Sequence, residues 1–142
     1  MLKEVIILKK PRLVISFVLI VLILWGFSFK PKPVLKGFYQ SEIAQTHVVQ
    51  MLIREEDSSF VEWIDNREVD NGTYKKVNYD SYRFKSDRQK FDIVFKDDNT
   101  FEIIITKINN NNPIIMKNIT TDDYRQSFGK WDDVEDYKKL LD

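Results

Sequence analysis

The single histidine, His47, is the first residue to consider for chemistry, because a hydrolytic triad or a zinc site would need it. It stands between Thr46 and Val48 in a plain strand pattern, so we expect a histidine on a surface or edge strand. The chain has no cysteine. Disulfides, thiolate metal sites and a cysteine nucleophile are therefore excluded.

Acidic residues form two groups that could in principle hold a cation. Glu55, Glu56 and Asp57 precede two serines, which is typical of a solvated turn, and the group at 132–136 lacks the glycine-centred spacing of an EF-hand loop. Glycoside hydrolysis uses two carboxylates across a sugar ring. With 22 Asp and Glu in the chain, some pair will always have a suitable separation, so such a pair is no evidence for a glycosidase. Phosphate-loop, G-x-S-x-G and H-E-x-x-H motifs are absent from the sequence. The sequence predicts no enzyme, no metal site and no cofactor.

Aromatic residues are the more informative feature of the chain. Inward-facing rings simply fill the core of a small barrel, but Tyr and Trp carry both apolar area and a polar tip, which also suits a binding surface. Four of them flank the Asn71-Gly72 pair, together with two arginines that could orient an anion or pair with Glu68 and Asp80. The candidate ligand-binding residues are Trp63, Arg67, Tyr74, Tyr79, Tyr82 and Arg83.

A charge-free stretch of seventeen residues, 13–29, separates KKPR from Lys30. A bilayer-spanning helix needs about 17 to 25 apolar residues. The residues before its end, Trp25 to Phe29, are mostly too large for cleavage of an export signal. We therefore predict a short cytoplasmic tail at 1–12, an uncleaved transmembrane anchor at 13–29 and a Lys/Pro stem at 30–36.

Charge placement bears on partners and on orientation. Residues 37–142 carry fifteen Lys and Arg against twenty-one Asp and Glu, so this acidic region is a poor match for a phosphate backbone and we expect no nucleic acid partner. Four Lys or Arg precede the apolar stretch and three follow it in the stem. The positive-inside rule then favours a cytoplasmic N-terminus. We expect a single-pass protein of the cell membrane, with the lipid bilayer as a partner through 13–29 and an extracytoplasmic domain at 37–142.

Residues 37–142 show the pattern of a mainly β domain. Apolar and polar residues alternate over 91–95 and again over 101–105, and the Asp-Asp-Asn sequence between them predicts a hairpin turn at 97–99. The Asn71-Gly72 pair tolerates positive φ and predicts a second hairpin with a tight type I′ turn.

The C-terminus changes to a helical period. A short helix is predicted at 120–129, closed by Gly129, and a second helix follows a capping box of Asp132 and Glu135. Seven or eight strands with a C-terminal helix predict a small antiparallel barrel or a strongly curved sheet. The predicted fold class is mainly β, with one N-terminal transmembrane helix before the barrel.

Gly37-Phe38-Tyr39 opens the first predicted strand, and successive hairpins and a late helix follow it. In this arrangement residues 37–117 resemble a small lipocalin-like barrel, although the lipocalin motif has Gly-x-Trp where this chain has Tyr39. The whole chain also resembles small membrane-anchored proteins of Gram-positive bacteria. The resemblance implies a cup for an apolar ligand and does not identify that ligand.

Two functional hypotheses follow. The first is a non-catalytic, membrane-anchored binding module of the bacterial cell envelope, which binds a small apolar ligand or an envelope protein. The second is an accessory or immunity-type subunit that docks on a membrane protein partner. An accessory subunit should need its own N-terminal helix for function, whereas a ligand-binding cup should survive replacement of that helix.

Overall fold

We describe the protein from a computed structural model that gives residues 2–28, 30–124 and 126–142, with the side chains of the first helix described over 11–26. The chain divides into two compact units, Met1–Lys32 and Pro33–Asp142. The second unit begins inside the predicted stem and contains the eight described strands.

The first unit contains one helix, α1 (Leu2–Ser28), whose described side chains are all exposed. No helix in the described residues is both long and apolar enough to cross a membrane. The predicted transmembrane anchor at 13–29, and with it that part of the predicted fold class, is therefore wrong. The charge-free stretch of seventeen residues stands at the lower limit of about 17 to 25 apolar residues for a span, and its last residue, Phe29, lies outside the described residues.

The second unit is mainly β, as predicted. Its strands are β1 (Gly37–Ser41), β2 (Val49–Arg54), β3 (Ser59–Ile64), β4 (Arg67–Lys76), β5 (Ser81–Lys85), β6 (Lys90–Val94), β7 (Thr100–Ile103) and β8 (Ile114–Thr120). They form one antiparallel sheet in the order β6-β5-β4-β3-β2-β1-β8-β7. Because β6 and β7 at the two ends of this order contact each other, the sheet curls into a nearly closed barrel.

Strand β3 shows how the alternation of side chains builds the barrel. Phe60 and Ile64 pack into the main core inside the barrel, whereas Val61 and Trp63 point the other way and join a second, smaller cluster. Aromatic rings fill much of the interior, and the Phe60 ring lies 5.1 Å from that of Phe84. The interior is therefore packed with side chains along this strand.

The turn between β3 and β4 differs from the prediction. Asn71-Gly72 lies inside β4, so the hairpin turn predicted there is wrong. The two turn residues are Asp65 and Asn66, with φ of 48° and 69°. Positive φ at both central residues is what a type I′ turn requires, and Asp and Asn tolerate it well.

Two glycines occupy positions where a side chain does not fit. A Cβ on Gly72 would lie 2.1 Å from the carbonyl oxygen of Lys85 and 2.9 Å from the Phe60 ring. Gly37 has a φ of 98°, and a Cβ there would lie 2.1 Å from the carbonyl oxygen of Thr120. Each glycine therefore allows two neighbouring strands to approach closely.

Short helices cover one end of the barrel. They are α2 (Thr106–Asn109) and α3 (Val134–Lys138), with a 3₁₀ turn at Lys139–Leu141 after α3. The side chains that pack against the main core from these elements are Ile108, Tyr137, Leu140 and Leu141. The predicted C-terminal helix is thus present, and it packs against the main core of the barrel.

The chain between β8 and α3 is irregular. No helix is present in the described part of 120–129, that is, 120–124 and 126–129, so the short helix predicted there is wrong. The predicted capping box is wrong too, because Asp133 occupies the N-cap of α3 and its side chain does not cap the helix. Arg67 holds that carboxylate instead.

Candidate functional site

The six predicted ligand-binding residues do not form one surface. They lie in three different places. Tyr74 and Tyr82 lie in the barrel interior, and Trp63 and Arg67 lie on the outer face of the β3–β4 hairpin. Tyr79 and Arg83 lie in the more exposed region around β5.

Tyr74 and Tyr82 pack against the main core, with ring centroids 6.1 Å apart. Tyr74 also stacks on Phe84 at 5.3 Å, and its hydroxyl donates to the backbone oxygen of Arg54. Burial, which removes water from the phenolate, and to a smaller extent the Glu55 carboxylate together raise the pKa of Tyr74 to about 12. These two tyrosines therefore extend the core.

Trp63 and Arg67 lie at the hairpin but have separate surroundings. Trp63 is 4% exposed and packs against Phe38. Arg67 donates from Nε and Nη2 to the two carboxylate oxygens of Asp133, at 3.0 and 2.9 Å. This hydrogen bonding lowers the pKa of Asp133. The guanidinium fork is therefore already occupied by a carboxylate of the C-terminal segment.

Arg83 is paired in the same way. Its Nε and Nη2 atoms donate to the carboxylate of Asp92 at 2.8 and 2.9 Å, across the β5–β6 pair. Tyr79 lies in the connection before β5 and is 76% exposed, with the Lys76 ammonium 5.8 Å from its ring centroid. The anion-binding role predicted for the two arginines therefore competes with carboxylates of the protein itself.

His47 has a partner that its sequence neighbours do not indicate. Its Nδ1 lies 2.6 Å from a carboxylate oxygen of Asp65, whose other oxygen accepts a hydrogen bond from the backbone N–H of Val48. The imidazole also meets the Tyr137 ring edge-on at 6.0 Å. This pair ties the β3–β4 turn to the start of β2 and to α3.

A buried carboxyl pair inside the barrel was not predicted. Glu62 of β3 is 1% exposed and lies opposite Asp70 of β4, which is 8% exposed. The carboxamide of Gln89 donates to both carboxyl groups, at 2.5 Å to Glu62 and 2.8 Å to Asp70. Ser86 donates a further hydrogen bond of 2.7 Å to Asp70. No cation in the described residues forms an ion pair with either carboxyl group.

The environment of this carboxyl pair explains its titration. Burial raises the pKa of Glu62 to about 8, since the charged form loses water, while the Gln89 hydrogen bond lowers this pKa and the Asp70 charge raises it. Asp70 lines a surface cavity of about 740 Å³, but Glu62 is not part of its lining. Glu62 can hold a proton at neutral pH, but that cavity gives no substrate access to it.

The alternation of β3 contains the signal that would have revealed Glu62. Phe60 and Ile64 are apolar and two residues to either side of it, so a period of two places the Glu62 side chain on the same inner face. A carboxyl group on a buried face requires a hydrogen-bonding partner. The partner, Gln89, lies far along the chain and could not be identified from spacing.

The seam between β6 and β7 is the one place where neighbouring strands of the described barrel form no ladder. The two strands are joined at the 95–99 connection, where the Lys96 N–H donates to the Thr100 oxygen at 2.9 Å. An ion pair of 3.0 Å between Lys96 and Glu102 also crosses the seam. The predicted turn at 97–99 is present, but the predicted ladder of this hairpin is not.

A groove of about 360 Å³ lies along the seam. Its apolar lining includes Phe91, Ile93 and Ile103. Val94 and Ile104, which also line it, are 53% and 61% exposed. The groove therefore combines apolar side chains with two free strand edges.

No group of three or more His, Cys, Asp or Glu side chains within the described ranges is arranged to hold a metal ion. Comparisons with known protein families, with curated proteins and with solved structures find no match to this chain.

Proposed function

We propose that the barrel is a non-catalytic binding module, and that its open seam receives an extended segment of a protein partner. The observation that carries the proposal is the pair of edge strands, β6 and β7, which flank an apolar groove and form no ladder with each other. A strand edge presents a row of backbone donors and acceptors to any chain that lies along it.

The chemistry of the seam favours a peptide over a small apolar molecule. An extended peptide satisfies the backbone groups of an edge strand by main-chain hydrogen bonds, and alternate side chains enter pockets beside the edge. Val94 and Ile104, the exposed apolar residues of the groove lining, supply such an apolar surface. A small apolar ligand would cover these side chains but leave the backbone edges without partners.

The eight-stranded barrel supports a lipocalin-like fold, but the proposed binding site lies at the seam and not inside the barrel. Phe60, Phe84 and Phe101 are each no more than 1% exposed and occupy the interior where a lipocalin-like cup would lie. We therefore place binding at the seam. Three further parts of the proposal rest on the sequence alone. The domain lies outside the cytoplasm, the chain resembles proteins of Gram-positive bacteria, and the docking partner is a membrane protein.

The test uses two exposed isoleucines as a matched pair. A photo-crosslinking residue is placed at Ile104, beside the seam, or at Ile119, which is equally exposed at 60% but belongs to β8. Irradiation of intact cells should give a discrete protein adduct from position 104 and not from position 119. A Val94→Lys substitution, which puts a charge into the groove, should abolish that adduct.

Two results would contradict the proposal: the same adducts from both positions, or an adduct at 104 that survives Val94→Lys. Mass spectrometry of the adduct then identifies the crosslinked segment of the partner. An extended, apolar segment is expected, since only such a segment pairs with a strand edge.

A further inference from the structure

A second cleft lies on the outer face of the β3–β4 hairpin, away from the seam. It has a volume of about 760 Å³ and is bounded by the hairpin on one side and by residues 126–134 on the other. This size falls within the range of about 300 to 1,000 Å³ that small-molecule sites occupy. The cleft is part of the second compact unit alone.

The cleft has aromatic walls. Trp63 is almost fully buried and meets Phe128 edge-to-face, with ring centroids 5.4 Å apart. Trp131 is 44% exposed. The guanidinium of Arg67 lies 3.8 Å from the Trp131 ring centroid and covers one face of the indole. Trp131 also lines the cleft, so its exposed indole surface is available to a ligand there.

Planar polar groups stand beside these aromatic rings. Asn66 and Gln126 contribute carboxamides and Glu68 contributes a carboxylate to the lining. The Asn66 oxygen accepts a hydrogen bond of 2.8 Å from Gln50, which fixes the amide plane and turns its N–H₂ group outward as a donor. The cleft thus offers donors and acceptors at fixed positions next to an indole face.

Charge in the cleft is close to balanced. Glu68 and Asp132 are acidic and Lys130 is basic, so neither a phosphate nor a strongly cationic ligand is favoured electrostatically. A wholly apolar ligand would displace water from the remaining donors and acceptors of these carboxamides and of the carboxylate without replacing its hydrogen bonds, which costs free energy. The matching ligand has an apolar face to stack on an indole and hydroxyl or amide groups at its rim.

We propose that this cleft is a saccharide-binding site that takes a neutral or N-acetylated sugar of one to two rings. A pyranose presents axial C–H groups on one face, which suit the exposed indole surface of Trp131. Its equatorial hydroxyls both donate and accept hydrogen bonds, and they match Asn66, Glu68 and Gln126. This site is independent of the seam, and its failure or success leaves the peptide-binding proposal unchanged.

The test is isothermal titration calorimetry on the full chain with two probes, triacetylchitotriose and maltotriose. Saturable binding of at least one probe in the millimolar range or tighter is expected. Trp131→Ala removes the stacking surface, and Glu68→Ala removes an exposed polar contact without touching the core. Either change should weaken binding by about tenfold or more, the loss of one good contact. Ile115→Ala removes an exposed apolar side chain of β8 that is not part of the cleft lining and should leave affinity unchanged.

Loss of binding in Trp131→Ala or Glu68→Ala, with Ile115→Ala unaffected, supports the site. Three results overturn it: no saturable binding of either probe, unchanged affinity in both cleft variants, or equal weakening in Ile115→Ala. Because the Glu68 side chain is exposed, its variant remains informative even if Trp131→Ala disturbs the C-terminal segment.

Discussion

The two faces of strand β3 differ in what covers them. On the inner face, Phe60 and Ile64 belong to a cluster whose described members include residues of all eight strands. On the outer face, Val61 and Trp63 belong to a smaller cluster, which among the described residues has five members, and only Phe128 of these lies after β4 in the chain. The same six-residue strand thus contributes one face to the large core inside the barrel and the other face to a small cluster on its outside.

This difference separates stability from recognition. A side chain surrounded on all sides loses all its contacts when truncated, and the rigid barrel cannot collapse to refill the space. The outer cluster is covered by an irregular segment, and that segment also forms a wall of the saccharide cleft. We therefore expect the inner face to set the free energy of unfolding and the outer face to set ligand binding.

The largest effect should come from Phe60→Ala. Phe60 is 1% exposed and meets both Phe84 and Phe91, so its loss should cost about 4 kcal/mol of the free energy of unfolding. The outer-face control, Val61→Ala, removes two methyl groups from a half-buried position and should cost about 1 kcal/mol. Urea unfolding followed by far-ultraviolet circular dichroism measures both, and equal costs would refute the distinction between the two faces.

Glu62→Gln should change how stability depends on pH. The folded pKa of Glu62, about 8, exceeds its unfolded value of 4.5, so the folded state binds the proton more tightly. This contribution is complete below pH 4.5 and is lost as pH rises through 8, amounting to roughly 3 to 4 kcal/mol between pH 5 and pH 8. The variant cannot ionise and should lose that part of the pH dependence.

The measurement for Glu62 is the urea midpoint from pH 5 to pH 9, with Glu56→Gln as control. Glu56 is exposed in the β2–β3 turn, and its variant should follow the parent profile. A Glu62→Gln profile that falls as steeply as the parent above pH 6 would show that another group is responsible.

The smallest of the three effects should come from Phe128→Ala. Phe128 is half-buried and covers Phe38 and Trp63 from one side, so its loss should cost about 1 to 2 kcal/mol. Trp63 should become more accessible, which a red shift of tryptophan emission and stronger acrylamide quenching would report. Tyr124→Ala, an exposed aromatic change in the same segment, should alter neither signal, and a matching red shift there would contradict the assignment of Phe128 as the cover.

The strands could be predicted because their signal is local. Alternation over 91–95 and 101–105 needs only neighbouring residues, and both strands are present: β6 is displaced by one residue and β7 is one residue shorter than predicted. The choice between two turn sequences was not local. Asn71-Gly72 and Asp65-Asn66 both suit a type I′ turn, and only the packing of Phe60 and the backbone of Lys85 against Gly72 shows that this glycine lies within a strand.

The site residues were harder to predict for the same reason. The sequence places Arg67 and Arg83 in one predicted hairpin, but their guanidinium groups are held by Asp133 and Asp92, one of them 66 residues away. Sequence spacing cannot choose among so many carboxylates for the partner of an arginine. The aromatic count indicated a binding surface, but the alternation of β3 and β4 places Trp63 and Tyr74 on opposite sides of the sheet.

The position of β1 in the sheet has a consequence for how quickly the barrel can form. β1 lies between β2 and β8, and its partner residues across the β1–β8 pair include Tyr39 and Asn118. Pairing so distant in sequence must pay a large loop-closure entropy first, and sheets of this kind fold in milliseconds to seconds rather than microseconds. During synthesis, one edge of β1 stays unpaired until the chain has been made through Thr120. In that interval the edge is open to strands of other nascent chains.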